Sequence, residues 1–303
     1  MVKHITYKYP PYSLDSLLND GGGTLTIRLQ RNALISKYKI YVVLGQLNGG
    51  TSPTWTVSKT NPIITQLSVI SDNDTIIFAT TDMLQEYNYL FQHVSPNGLS
   101  FSIPMSDYTA EGNKEIEGTQ FDSTKYINNE LYVTVPPLSQ VTSGSPSSSS
   151  GTYLYLVEEQ YTKRPSKLVT VKKLTSETTL SITGENELVP DPFLTTDGAY
   201  KMVLYQQSQN GVLSDNYILS TKIELNGRIT IADDYISTLK LRNQSIFKVV
   251  PDVGYFAHVF MEDENVKDLL PLVNPAVVTS VKEKFITNTS PVTLKALKVE
   301  YMV

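Results

Sequence analysis

The sequence predicts an all-β protein made of two tandem jelly-roll β-barrels, with short helices in the connections between strands. Three observations point there. The chain has 303 residues, more than one hydrophobic core usually organises and a fit for two domains of roughly 100–200 residues each. Its composition is 40% hydrophobic and 10% aromatic, with 19 Tyr but only 18% charged residues, which suits strands better than long charged helices. Short β-branched and aromatic runs also return between turn signals, and landmarks of the first half come back in the same order in the second.

Taken in order, the chain opens with MVKHITYKYPPYSLDSLLND, which lacks the ~7–15-residue apolar stretch of a signal peptide. No run approaches the ~18–20 apolar residues of a membrane span, so a soluble product made in the cytoplasm is expected. Pro10 and Pro11 keep this start extended, and Ser13 is placed to cap a turn that sets Leu14, Leu17 and Leu18 on one side. Residues 1–23 therefore read as an N-terminal arm that docks onto a neighbour or its own barrel, with a frayed terminus as the equal alternative. Gly21-Gly22-Gly23 reads as the hinge into the first barrel.

Strands follow at TLTIRL (24–29), YKIYVVL (38–44), IITQLSVI (63–70), DTIIFA (74–79), LSFSIPM (99–105), ELYVTV (130–135) and TYLYLVE (152–158). Asn48-Gly49-Gly50, Ser71-Asp72-Asn73-Asp74 and Pro96-Asn97-Gly98 punctuate them as turns. In TTDMLQEYNYLF, Thr80 or Thr81 is placed as an N-cap and Asp82 in the first turn. Met83, Leu84, Tyr87 and Leu90 then recur at helical spacing. Between strands, 48–62 carries the single Trp, 106–126 is long and polar, and the Ser-rich 136–151 reads as flexible.

The second half offers LVTVKKL (168–174), TTLSITG (178–184), YKMVLYQ (200–206), YILSTKIEL (217–225), RITIA (228–232), VGYFAHVFM (253–261), AVVTSVKEKF (276–285) and VTLKALKVEYM (292–302). Asp233 or Asp234 is placed to open a second short helix in DDYISTLKL. Matching the halves pairs YKIYVVLGQLNG with YKMVLYQQSQNG at an offset of 162 and Ala79 with Ala232 at 153. Gly98, Met105 and Asp107 then pair with Gly254, Met261 and Asp263 at 156, Thr134 of LYVTV with Thr279 of VVTSV at 145, and LVE (156–158) with KVE (298–300) at 142. Five matches in one order, with drift that loop lengths explain, indicate a tandem duplication with its boundary near 159–167. The expected division is an arm over 1–23, a first jelly roll over 24–160 and a second over 161–303. Seven or more strands per half, joined by unequal loops, favour a jelly roll over a propeller or an up-and-down barrel.

Two tandem barrels, a short helix after a strand in each, and a close of the form GYFAHVFMEDENVKDLL…VTSVKEKF…TLKALKVEYM resemble the double jelly-roll major capsid proteins of tailless icosahedral viruses, many with an internal membrane. The resemblance covers nearly the whole chain and rests on pattern rather than on an invariant motif. It implies a structural protein of the virion that forms a homotrimer, whose six barrels make a pseudo-hexagonal capsomer that self-assembles with neighbouring capsomers into an icosahedral shell. Its implied partners are further copies of the chain, other virion proteins such as penton or membrane proteins, and an internal viral membrane. A carbohydrate- or receptor-binding virion protein is the alternative, with a jelly-roll glycoside hydrolase behind it.

The chemistry readable from the residues is sparse. A formal charge of −5 and a pI near 5.3 supply no field for nucleic acid, so no direct contact with the genome is expected. Zero Cys excludes disulfides, thiol nucleophiles and Cys-based zinc sites. His4, His93 and His258 have no companion at metal-ligand spacing and read as structural. Asp72-Asn73-Asp74 and Glu262-Asp263-Glu264 lack the spacing of an EF-hand and read as solvated turns. No phosphate-loop, serine-elbow or zincin signature occurs. The sequence thus predicts no catalytic, cofactor-binding or metal-binding residues, no cofactor and no enzyme. Sequons at Asn73, Asn243 and Asn288 carry no weight without secretion.

Overall fold

A computed structural model describes residues 4–31, 33–107, 119–161, 168–188, 191, 193–194, 199–260, 270–271 and 278–302. The chain divides into two compact units, Met1–Val171 and Lys172–Val303.

In the first unit the principal strands are β1 (His4–Lys8), β2 (Gly23–Arg28), β3 (Leu34–Val43), β4 (Gln66–Ser71), β5 (Asp74–Thr80), β6 (Ser100–Pro104), β7 (Asn129–Val135) and β8 (Tyr153–Tyr161). One sheet has the order β1-β8-β3-β6 and the other β5-β4-β7-β2, every pair antiparallel. Interleaving distant strands across two sheets in this way makes a jelly roll. Strict alternation creates its interior: along β7, Asn129, Leu131, Val133 and Val135 are buried while Glu130, Tyr132 and Thr134 are only partly so.

The second unit repeats this plan with β9 (Thr170–Leu180), β10 (Gly184–Leu188), β11 (Ala199–Gln209), β12 (Ile218–Leu225), β13 (Ile229–Tyr235), β14 (Tyr255–Val259), β15 (Val281–Thr287) and β16 (Val292–Met302). Its strand orders, β9-β16-β11-β14 and β13-β12-β15-β10, are those of the first unit shifted by eight labels. Even an irregularity repeats, because the ladder slips between Val69 and Ile70 in β4 and between Ile223 and Glu224 in β12. All-β tandem jelly rolls are therefore the architecture. In each, a helix follows the strand after that slip: α2 (Thr81–Gln92) after β5 and α3 (Ile236–Phe247) after β13, with α1 (Asp15–Asn19) preceding β2.

His4–Lys8, read as part of an arm that docks onto a neighbour or its own barrel, pairs along its length with β8 of its own unit. Other local expectations change. Leu14 and Leu18 are buried as the turn reading expects, but Leu14 rather than Ser13 is the N-cap of α1. Asp233 and Asp234 do not open α3. They pair with Lys222 and Thr221 in the β12–β13 ladder, so strand continues to Tyr235. The two runs at 168–174 and 178–184 are one long strand, β9, up to Leu180.

The Ser-rich stretch is not the flexible loop its composition suggests. Thr142–Ser143 pairs with Thr54–Trp55, and Ser148–Ser150 pairs with Gln46–Asn48. The Asp15 carboxylate accepts from Ser149 Oγ at 3.0 Å, Gly151 N at 2.8 Å and Thr152 N at 3.1 Å. Asn19 Oδ1 accepts from Ser149 N at 2.8 Å, and Asn19 Nδ2 donates to Ser149 O at 3.1 Å. Hydrogen bonds supply the order that apolar burial cannot.

Candidate functional site

The two jelly rolls share a helix anchor that contains no apolar group. In the first, Asn88 Nδ2 of α2 donates to Ser102 O of β6 at 2.6 Å. In the second, Asn243 Nδ2 of α3 donates to Ala257 O of β14 at 2.9 Å, and Asn243 Oδ1 accepts from Ala257 N at 2.8 Å. Each helix ends on a left-handed residue, His93 at φ 54° and Lys248 at φ 62°, and each following strand is entered through a glycine, Gly98 at φ 75° and Gly254 at φ 83°. His93 is thus a helix terminator. Asn243 is fully buried with its amide engaged, so its sequon reads as packing. Sequence reasoning missed both asparagines; the Asn-x13-Ser/Ala repeat was the signal available.

Superposing the registers exposes one difference between the interiors. The first jelly roll places Ile40, Leu67, Ile103 and Leu131, all fully buried, on β3, β4, β6 and β7. The corresponding positions on β11, β12, β14 and β15 hold Tyr205, Thr221, His258 and Glu283, which are 0%, 1%, 3% and 0% exposed. The Tyr205 hydroxyl lies 2.9 and 2.8 Å from the two Glu283 carboxyl oxygens, and Thr221 Oγ1 donates to Glu283 Oε1 at 3.0 Å. His258 Nε2 lies 3.5 Å from Thr221 Oγ1 and 3.9 Å from Glu283 Oε1. Phe256 stacks on the Tyr205 ring, with Phe193 and Phe285 edge-on to it.

Electrostatics in this layer favour neutral forms. Burial, with Asp191 nearby, raises the Glu283 carboxyl well above the usual carboxylate range, more than the Tyr205 and Thr221 hydroxyls lower it. Burial, with Arg242 as a second cause, holds the His258 imidazole down to about 3. Asp191 is itself pushed up to about 6 by burial, against hydrogen bonds from the Phe193 and Leu194 N–H groups and the charge of Lys298.

Asp72 accepts from Asn128 N at 2.8 Å and Ile127 N at 3.1 Å, which pins a chain crossing. Glu262-Asp263-Glu264 lies outside the described residues. Among the described residues, no group of three His, Cys, Asp or Glu is placed to hold a metal ion, and no helix is long and apolar enough to cross a membrane. Trp55, the single Trp, is half-buried and donates its indole N–H to Gly45 O at 3.0 Å.

The surface feature that stands out is aromatic. On the outer face of β3 and β8, Tyr41 pairs in register with Tyr155 and Val43 with Tyr153; these residues are 44%, 40%, 53% and 39% exposed. Beside them Lys37 and Lys39 share Glu159 at 3.1 and 2.6 Å. Large rings bordered by ion pairs are the composition of protein interfaces.

No protein-family model and no curated protein matches the chain. Solved structures do. The major capsid protein of STIV matches with a TM-score of 0.74 at 14% identity, over 99% of this chain and 97% of that one. The major capsid protein P2 of bacteriophage PM2 matches with a TM-score of 0.72 at 10% identity, over 99% and 98%. The PBCV-1 virus capsid matches with a TM-score of 0.64 at 12% identity, over 99% and 94%. From end to end, the chain has the double jelly-roll fold of these viral major capsid proteins.

Proposed function

We propose that this chain is a major capsid protein, a structural rather than catalytic component that trimerises into pseudo-hexagonal capsomers and tiles an icosahedral virion shell. The observation that carries this reading is the duplicated strand order, met over the full length of capsid proteins of closely similar size. Two fused barrels let a threefold trimer present six similar walls, which one gene product needs to tile a lattice. In this reading the chain's partners are its own copies, then penton or membrane proteins of the virion and an underlying viral membrane. The Tyr41, Val43, Tyr153 and Tyr155 face is a contact between copies.

The test is solution mass by light scattering followed by negative-stain imaging. A particle near three times 33.8 kDa with a six-lobed outline, or flat hexagonal arrays, is the expected result. A monomer at every concentration overturns it.

A further inference from the structure

The internal duplication provides a control within one molecule: the first jelly roll shows what these four interior positions hold when only packing is required. There they are aliphatic, Ile40, Leu67, Ile103 and Leu131. Polar groups in the same setting lose water and regain it only through hydrogen bonds, so a layer such as Tyr205, Thr221, His258 and Glu283 gives no stability advantage over isosteric hydrocarbon. What it adds is sensitivity to protons.

We propose that the sealed Tyr205–Thr221–His258–Glu283 layer is a pH-responsive element that stabilises the second jelly roll in mildly acidic solution and loosens β12 and β15 as pH rises beyond neutral. The geometry supports it. Both oxygens of Glu283 face hydroxyls, from Tyr205 and Thr221, and the His258 imidazole lies 3.9 Å away. From the surrounding elements, Asp191 precedes β11 and acts on Glu283 and Tyr205, Lys298 of β16 acts on Asp191, and Arg242 of α3 acts on His258. None of these is a cation bonded to Glu283. The exposed pairs Lys282–Glu187, Lys284–Glu185 and Lys222–Glu224 lie toward solvent and are screened.

The sign follows from comparing each group with its unfolded value. Glu283 is raised above its usual 4.5, so its stabilising contribution is complete below 4.5 and is lost as pH rises toward its folded value. Asp191 behaves likewise between 3.8 and about 6. His258 is lowered from 6.5 to about 3, so its contribution is complete above 6.5 and is lost as pH falls. Above 6.5 only Glu283 of these three still holds a proton in the fold that it lacks when unfolded. The second jelly roll should then lose stability as pH rises above 6.5 for as long as the folded state holds the Glu283 proton.

Hydrogen exchange on the whole chain, corrected for the intrinsic rate and followed in peptides covering 218–225 and 281–287, tests this. Trp55 fluorescence in urea reports the first unit separately. The expected result is a progressive fall in protection as pH is raised from about 6.5 to about 8.5, abolished in Glu283→Gln, which keeps a neutral acceptor. Should Glu283→Gln fold poorly, the pair Glu283→Leu with Thr221→Leu, which copies Leu131 and Leu67, should show the same flat profile. Protection in wild type that does not fall over this range, or an unchanged slope in whichever variant folds, overturns the proposal. Assembly is not read at any step, so the outcome does not depend on the capsid reading.

Discussion

Single residues decide whether a jelly-roll interior remains dry. Asn243 bridges α3 and β14 through both ends of one amide, and its removal strands the N–H and C=O of Ala257 in the core. Asn243→Ala is expected to lower stability by about 1–3 kcal/mol, read as a drop in the urea midpoint of the second unit. Asn88→Ala, with one bond to β6 at stake, should cost less in the first. Glu283 shows at this scale why part of the candidate site could not be read in sequence. In VKEKFIT the inward positions are Val281, Glu283, Phe285 and Thr287, and a glutamate at an inward position hides the strand's alternation. The expected match therefore slid back to VVTSV at 277–281, whereas Leu131 and Glu283 give an offset of 152. Sequence pattern failed where the chain departs from simple packing, which is where a special role is to be looked for.

Elements were more legible than residues. Met83, Leu84, Tyr87 and Leu90 are the buried face of α2, as their spacing predicts, and runs rich in Val, Ile and Tyr became strands within a few residues. The strands that escaped, HITYK and GENEL, are polar and short, because edge strands of a sheet bury little. Asp233 and Asp234 misled for a related reason: an acidic pair ahead of an apolar period looks like a cap, but Lys222 across the ladder gives it a strand partner. The glycine entering β6 separates conformational from steric demand. A Cβ on Gly98 would lie 2.3 Å from Ser58 O, whereas on Gly254 the nearest atoms, Gln207 O and Leu213 Cβ, are 3.0 Å away. Both substitutions to Ala are strained by positive φ. Gly98→Ala is expected to destabilise by about 2 kcal/mol or more and Gly254→Ala by about 1 kcal/mol, a ranking that thermal unfolding of the two variants checks.

For the whole molecule, duplication was visible in sequence because glycines and aromatics survive where pairing is demanding, as with Gly98 and Gly254, both left-handed. How the copies meet is a question of surface. If the chain forms the proposed trimer through the face of Tyr41 and Tyr155, Tyr41→Glu with Tyr155→Glu should leave the far-ultraviolet spectrum unchanged while lowering the mass by light scattering to that of a monomer, since a buried unpaired charge costs several kcal/mol per contact. A trimer that survives both changes would place the contact elsewhere.

The pairing of β1 with β8 also sets a clock. Tyr9 donates to Glu158 at 2.6 Å across 149 residues of chain, and His4–Lys8 finds its ladder only on Val157–Tyr161. At roughly 5–20 residues per second of synthesis, the opening strand waits about 8–30 s for its partner to emerge. During that interval a Tyr-rich segment is open to any other strand edge nearby, including that of another nascent copy. Pro10 and Pro11, which cannot extend such a ladder, stand directly behind it, so the arrangement that closes the first barrel last is bordered by residues that limit premature pairing.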